Sequence, residues 1–214
     1  MPGYKGKRLV DLLLLALSAP IWLPAVGILA VLVRARLGAP VFFRQQRAGR
    51  DGRLFEIVKF RSMTNARDPR GQLLPDADRL SPFGRMLRST SLDELPELWN
   101  VLQGDMSLVG PRPLLPQYLE RYSSDHSRRH DVAPGMTGLA QVSGRNALTW
   151  PARFDLDLDY IRRCAPALDL WILWRTALAV LRREGISAEG LATMAEFTGY
   201  DSPTSASMPP ERGR

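Results

Sequence analysis

The chain has 214 residues, room for one domain of ordinary size, and shows no internal repeats. Twenty-nine basic against 22 acidic residues leave a net charge of +7 and a pI near 10.2, a balance that suits phosphate-bearing partners: nucleic acid, an anionic membrane surface or a nucleotide. A lone cysteine, Cys164, excludes an intramolecular disulfide. Apart from Lys5, Lys7 and Lys59 every basic residue is arginine, a skew that codon bias also produces, so no single arginine marks a site.

Leu12 to Val33 carries no charge. A straight helix of that length reaches about 33 Å, enough to cross a bilayer core of about 30 Å. Pro20 and Pro24 lie inside it, where each removes a hydrogen bond and bends the axis. Lys5, Lys7 and Arg8 precede the segment and Arg34 and Arg36 come after it, which pulls both ends to the cytoplasmic face. A bent middle and two cytoplasmic ends read as a re-entrant hairpin in one leaflet. Two alternatives stand beside it. A cleaved signal peptide fits Ala16-Leu17-Ser18-Ala19 but not Asp11 or the length of the apolar run. A full membrane anchor fits if Asp11 pairs with Arg8 one turn away at the membrane edge.

Val41–Phe43 and Leu54–Phe60 read as two strands around a turn at Asp51-Gly52. Lys59 and Arg61 then share a side with Phe55 and Ile57, placing Lys59 either in solvent or on a phosphate. Residues 64–80 read as an irregular surface loop. Ser81-Pro82 starts a short helix that carries Arg85 and Arg88 toward the next segment.

That segment, Thr90 to Leu102, sets Asp93 and Glu94 at the mouth of an amphipathic helix with Leu95, Leu98, Trp99 and Leu102 at helical spacing. Ser91 with Glu94 fits a capping box, and Pro96 makes Asp93 an alternative cap. The plain reading is two capping carboxylates. The functional one rests on the turn-rich stretch from Gly104 to Pro113, in which Arg112 stands between Pro111 and Pro113, a guanidinium on stiff backbone close to two acids. Such a grouping suits a phosphate clamp beside a nucleophile or metal ligand.

In the second half, His126 and His130 have the i, i+4 spacing of zinc ligands, but Arg128 and Arg129 between them favour a solvated face. Pro134 to Asn146 holds three glycines and permits close backbone approach. Asp155, Asp157 and Asp159 alternate with apolar residues, as in a half-buried strand or an extended segment, and their spacing is also that of metal-dependent glycosyltransferases. Asp169 to Glu184 predicts an amphipathic helix whose Trp171, Trp174, Leu178 and Leu181 suit a membrane interface or a core. The Ser/Pro-rich tail after Tyr200 predicts disorder.

These motifs together resemble the monotopic phosphoglycosyl transferases, the bacterial sugar transferase family that starts polyprenol-linked glycan assembly. The likeness runs from Lys7-Arg8-x-x-Asp11 to about Gly199 and includes Gln46-Arg47-x-Gly49, Lys59 to Met63, Ser91 to Pro96, Gly104 to Pro113 and Pro134-Gly135-x-Thr137-Gly138. The chain looks like the minimal form, similar to bacillosamine phosphate transferases. Leu23, Ala48, Leu139 and Ser143 depart from the residues common in the family.

The resemblance implies an α+β fold: a re-entrant membrane helix-break-helix over residues 1–36, then a catalytic domain over 37–200 with a small β-hairpin and several amphipathic helices at the membrane interface, and a disordered tail over 201–214. It implies that Asp93 attacks the β-phosphate of a UDP-sugar, releasing UMP, and that a polyprenol phosphate takes the phosphosugar. Glu94 would hold Mg²⁺, while Lys59, Arg88, Arg112 and Arg145 would contact phosphate. Arg8, Asp11, Pro20 and Pro24 would shape the re-entrant segment. The partners expected are a UDP-sugar, a polyprenol phosphate and one leaflet of the bacterial inner membrane, with the catalytic domain facing the cytoplasm and no nucleic acid.

Overall fold

The computed structural model describes residues 3–144, 148–182 and 196–200. Its longest element is α1 (Lys7–Leu37). An antiparallel hairpin comes next, β1 (Phe42–Ala48) and β2 (Leu54–Phe60). After it stand α2 (Asp76–Arg79), α3 (Pro82–Ser89) and α4 (Glu97–Gln103). The second half holds β3 (Ser107–Val109), α5 (Ser124–Ser127), β4 (Gly135–Thr137), α6 (Leu139–Ser143), α7 (Trp150–Arg163) and α8 (Pro166–Arg182). The architecture is α+β.

Where the sequence suggests a helix, a break and a second helix, α1 continues through both Pro20 and Pro24. Side-chain donors support the turn before Pro20: Ser18 Oγ donates to the Leu14 carbonyl (2.7 Å) and Trp22 Nε1 to that of Leu15 (3.1 Å). One face of α1 is buried. Leu15 packs with Ile57, Val101 and Met106, while Leu29 and Val33 pack with Phe60 and Leu87. The opposite face presents Leu9, Leu13, Leu17 and Ile21 at four-residue spacing, each more than half exposed.

Both ends of α1 are tied to the same domain. Arg8 donates to the Val101 carbonyl and to that of Leu102 (2.8 Å) at the carboxyl end of α4. Carbonyls at the carboxyl end of a helix attract a cation, and that of Val101 does so while also accepting from Gly104 N (3.1 Å). Asp11 accepts from Ser107 Oγ at 2.8 Å. The expected Arg8–Asp11 pair is therefore not formed, because each side chain has a better partner in the domain. At the other end, Arg61 donates to the carbonyls of Leu37 and Ala39, the latter at 3.0 Å.

The hairpin pairs Phe42 with Phe60 through to Ala48 with Leu54, and its turn contains Asp51 (φ 54°) and Gly52 (φ 71°), where the sequence places it. β1 extends well beyond the strand expected from its apolar start, into polar and charged residues. A two-stranded ribbon leaves a face in water, and Arg44 pairs diagonally with Glu56 there (3.0 Å). Asn100 fastens α4 to the backbone of β2: its Oδ1 accepts from Val58 N (3.1 Å) and its Nδ2 donates to the Glu56 carbonyl (2.7 Å). The 64–80 stretch is less irregular than expected, with α2 inside it and bridges joining Met63 to Leu80 and Arg67 to Leu73.

β3 and β4 pair in parallel, Ser107 opposite Gly135 and Val109 opposite Thr137. A Cβ on Gly135 would stand 2.0 Å from the Gly110 nitrogen. The glycine-rich segment thus serves a close approach of two backbones. Asp155, Asp157 and Asp159 lie on a helix, α7, in place of the strand or extended segment expected. The alternation misleads because Phe154, Asp157 and Tyr160 form a buried stripe at helical spacing. On α8, Ile172 is buried while Leu170, Trp171, Trp174 and Leu181 are exposed, so the tryptophans are not core residues. Lys7 reaches Asp169 on α8 (2.7 Å), and Tyr160 OH donates to the same carboxylate (2.7 Å).

The histidines are not on a solvated face. His130 is buried with Nδ1 2.9 Å from the Gly49 carbonyl, and His126 lies between Tyr200 and Asp155. Burial holds His130 neutral, its pKa pushed down to about 4 by desolvation and by Arg129. Phe197 is buried among Tyr118, Tyr122, Trp150 and Phe154. The tail over 201–214 lies outside the described residues.

Candidate active site

Asp93 and Glu94 sit in a short 3-10 turn (Leu92–Glu94) between α3 and α4. Neither is the cap of a continuous helix. Ser91 adopts left-handed backbone (φ 55°) and its side chain makes no capping bond, so the capping box is not formed. A non-glycine residue in that region is strained, and the reversal it makes turns the chain from α3 into the acidic pair. Pro96 then directly precedes α4 and ends the 3-10 turn without needing a donor.

Three cations surround the pair. Lys59, at the end of β2, places Nζ 2.6 Å from Glu94 Oε1 and 3.0 Å from Glu97 Oε1. Arg112 Nη2 lies 2.5 Å from the same Glu94 oxygen. Arg88, from α3, donates through Nε to Ser62 Oγ (2.9 Å) and acts on the charge of Asp93. The position of Arg88 depends on Gly84: a Cβ there would stand 1.7 Å from the Ser62 carbonyl oxygen, so α3 crosses the end of the hairpin at a glycine. Ser81 caps that helix by accepting from Gly84 N (3.0 Å), as its Ser-Pro start predicts. Arg85 points away and bonds the Leu80 carbonyl (2.9 Å).

The neighbouring carboxyls differ in proton affinity. Burial and the charge of Glu94 push Asp93 up to about 6, against the pull of Lys59, Arg88 and Arg112. Burial also opposes the charge on Glu94, but Arg112 and Lys59 outweigh it and hold that carboxyl well below the usual range. Glu97, only 1 % exposed, is pushed up to about 7 by burial and by Glu94 despite Lys59. Lys59 itself loses stability as a cation by burial and regains more from its two glutamates, so its pKa rises. One acid is thereby fixed as a charged anchor and the other left able to change protonation.

The structure brings Lys59, Arg88, Asp93, Glu94 and Arg112 together. Arg145 lies outside the described residues. Arg8 and Asp11 dock α1 and are remote from the acids in function, as their partners show. Glu97 joins the site without a clear mark in the sequence, where it reads as one more polar residue in the first turn of a helix. Its only signal is the i, i+3 spacing from Glu94.

Among the described residues no cluster of three His, Cys, Asp or Glu side chains could hold a metal alone. Asp155, Asp157 and Asp159 do not converge: they pair with His126 (2.9 Å), Arg129 (2.7 Å) and Arg163 (2.8 Å) respectively. Glu94 meets both Lys59 and Arg112 through Oε1. A single carboxylate suffices for magnesium when substrate phosphates and water complete its shell. The residues present fit a magnesium ion arriving with a diphosphate.

A model of the bacterial sugar transferase family matches residues 3–183. The chain is 48% identical over 197 residues to an uncharacterized sugar transferase, EpsL, of Bacillus subtilis, covering 90% of this chain and 96% of that protein. It is 44% identical over 167 residues to the undecaprenyl-phosphate galactose phosphotransferase of Salmonella typhimurium, covering 70% of this chain and 35% of the relative. With the UDP-glucose:undecaprenyl-phosphate glucose-1-phosphate transferase of Xanthomonas campestris pv. campestris it shares 42% over 188 residues, 82% of this chain and 39% of the relative. It therefore spans nearly all of EpsL but between a third and two fifths of these two sugar-specific relatives. On the extent of these matches, the chain belongs to the bacterial sugar transferase family.

Proposed function

We propose that this protein transfers a sugar 1-phosphate from a UDP-sugar to a membrane polyprenol phosphate, releasing UMP, through an aspartyl phosphosugar intermediate. The observation that carries the proposal is the buried Asp93, adjacent to a Glu94 that is ion-paired to Lys59 and Arg112, and within the field of Lys59, Arg88 and Arg112. The names of the galactose and glucose phosphotransferases support a polyprenol-linked hexose as product class. Nothing in those names points to bacillosamine.

In this reading an Asp93 oxygen attacks the β-phosphorus, and the bond to the oxygen bridging the two phosphates breaks to release UMP. An oxygen of the polyprenol phosphate then attacks the same phosphorus, and the Asp93 carboxylate leaves, restored. Lys59 and Arg112 screen Glu94 from Asp93 and stabilise charge on the transferring phosphoryl group. Arg88, steadied by Ser62, balances the charge of Asp93 before attack. Glu94 would hold magnesium, which when bound supplies neutralisation of the diphosphate and a better leaving group.

A one-leaflet placement of the continuous α1, with both of its ends at the cytoplasmic side, is part of the proposal. Its support is that Arg8 and Arg61 fasten opposite ends of α1 to one domain. A spanning helix would have to carry one of those attachments across the bilayer. The exposed Leu9, Leu13, Leu17 and Ile21, with Trp171 and Trp174 on α8, supply apolar contact with lipid at the cytoplasmic side. A screen of UDP-sugars with polyprenol phosphate, read by nucleotide product, tests the function. UMP is expected; UDP would indicate direct glycosyl transfer and overturn it.

A further inference from the structure

In the acidic site, the backbone of Arg112 is gripped from behind by a buried ion pair. Its side chain pairs with Glu94 and remains 41% exposed, open to a substrate phosphate. Its carbonyl oxygen accepts from Arg129 Nη2 at 2.8 Å. Arg129 is almost wholly buried, and each of its three nitrogens has a partner. Nε and Nη2 reach Asp157 Oδ2 at 3.0 and 2.7 Å, and Nη1 reaches Tyr122 OH at 3.2 Å. Its guanidinium also lies over the rings of Tyr122 (5.6 Å) and Phe154 (5.5 Å).

A buried ion pair is a poor way to gain stability, since desolvating two charges offsets most of their attraction. What such a pair does well is fix a geometry. The geometry fixed here is the carbonyl of a residue already stiffened by Pro111 and Pro113, and a guanidinium fork presents it with a directional donor that a lysine cannot match. We infer that Arg129, held by Asp157, is a positioning residue for Arg112, keeping its guanidinium aligned between Glu94 and the transferring phosphate. The inference deepens the proposed function and rests on it for the catalytic consequence, while the positioning itself does not depend on the reaction.

Removing Arg129 alone would strand Asp157 as a buried unpaired charge, so the informative variant is Arg129→Met with Asp157→Leu, which replaces the pair by apolar bulk. In the full chain in detergent or lipid, backbone amides of residues 108–115 are expected to exchange with solvent roughly tenfold faster than in the parent, and UMP release to fall roughly ten- to a hundredfold. In an Arg112→Lys background the same double change is expected to cost no further activity, because Arg129 acts only through Arg112. A change that merely loosens the fold would multiply with Arg112→Lys instead. Should the double variant not fold, Arg129→Lys keeps the ion pair but loses the fork, and it is read the same way. Unchanged exchange over 108–115, or losses that multiply, overturns the inference. If the parent releases no UMP from any UDP-sugar the proposed function fails, and the exchange result still decides whether Arg129 positions Arg112.

Discussion

Lys59 stands between Glu94 and Glu97, 2.6 Å from one carboxylate and 3.0 Å from the other. The hairpin contributes the ammonium and the α4 region both acids, so a single cation joins the two elements that build the site. Lys59→Met would leave buried carboxylates without their shared partner. The expected cost is about 3 kcal/mol of stability, with UMP release lowered at least about a hundredfold. Denaturant unfolding and a UMP assay on the same preparation check both. A variant as stable as the parent would show that Lys59 does not hold α4 to the hairpin.

The split between Asp93 and Glu94 gives a signed dependence on pH. A carboxyl raised to about 6 in the folded protein binds its proton more tightly there than in the unfolded chain. Its contribution to stability is therefore full below about pH 4 and lost as the pH rises through about 6. Above that, the fold carries the cost of the buried charge. Asp93→Asn relieves it, so the inactive variant should be more stable than the parent at about pH 8 by about 1–3 kcal/mol, the gap closing toward about pH 4. Unfolding curves without divalent cations at several pH values test this, and equal stability at the alkaline end would contradict it.

Asn100 should behave as a structural rivet. Asn100→Leu leaves the amide of Val58 and the carbonyl of Glu56 unpaired, with apolar bulk against them. A loss of about 2–4 kcal/mol is expected, accompanied by weaker UMP release, since α4 carries Glu97 against Lys59. An unchanged unfolding midpoint would mean that packing alone fixes α4.

Gly84→Ala places a methyl where the Ser62 carbonyl now lies. α3 must move, and Arg88 with it. The expected outcome is a loss of activity larger than the loss of thermal stability, because so short a helix as α3 can shift outward while Asp93 loses its neighbouring cation. Activity equal to the parent's would show that Arg88 is dispensable.

The membrane reading predicts opposite effects for two faces of α1. Leu17→Arg, on the exposed face, should weaken binding to lipid vesicles with little change in folding. Leu15→Ala, close by in sequence and buried against Ile57, Val101 and Met106, should cost about 2–4 kcal/mol of domain stability and leave vesicle binding nearly intact. Vesicle flotation and unfolding midpoints separate the two. Identical responses would indicate that α1 does not divide into a domain face and a lipid face.

Much of this molecule can be read from local chemistry. Asp51-Gly52 marks its turn, Ser81-Pro82 its helix start, and the acidic pair with Arg112 a cluster that does come together, because each depends on backbone preference or short-range charge. The failures share a cause: partners distant in sequence. Arg8 and Asp11 have the spacing of a helix pair, yet Arg8 bonds Leu102 and Asp11 bonds Ser107. Asp155, Asp157 and Asp159 alternate like a strand, but burial of Phe154, Asp157 and Tyr160 selects a helix. His130 follows two arginines in sequence and is buried in the fold, with Gly49 as partner. Glu97 becomes part of the site through partners on β2, where Asn100 holds α4 to the strand backbone and Lys59 meets the carboxylate.

The most direct measurement tracks a sugar phosphate onto one side chain. The protein is incubated with a UDP-sugar and magnesium without polyprenol phosphate, quenched, digested and analysed by mass spectrometry. The account predicts a phosphosugar on the peptide containing Asp93, formed with a matching amount of UMP, discharged by polyprenol phosphate and absent from Asp93→Asn. Full turnover by Asp93→Asn, or UMP formed with no modification of that peptide under any quench, would contradict it.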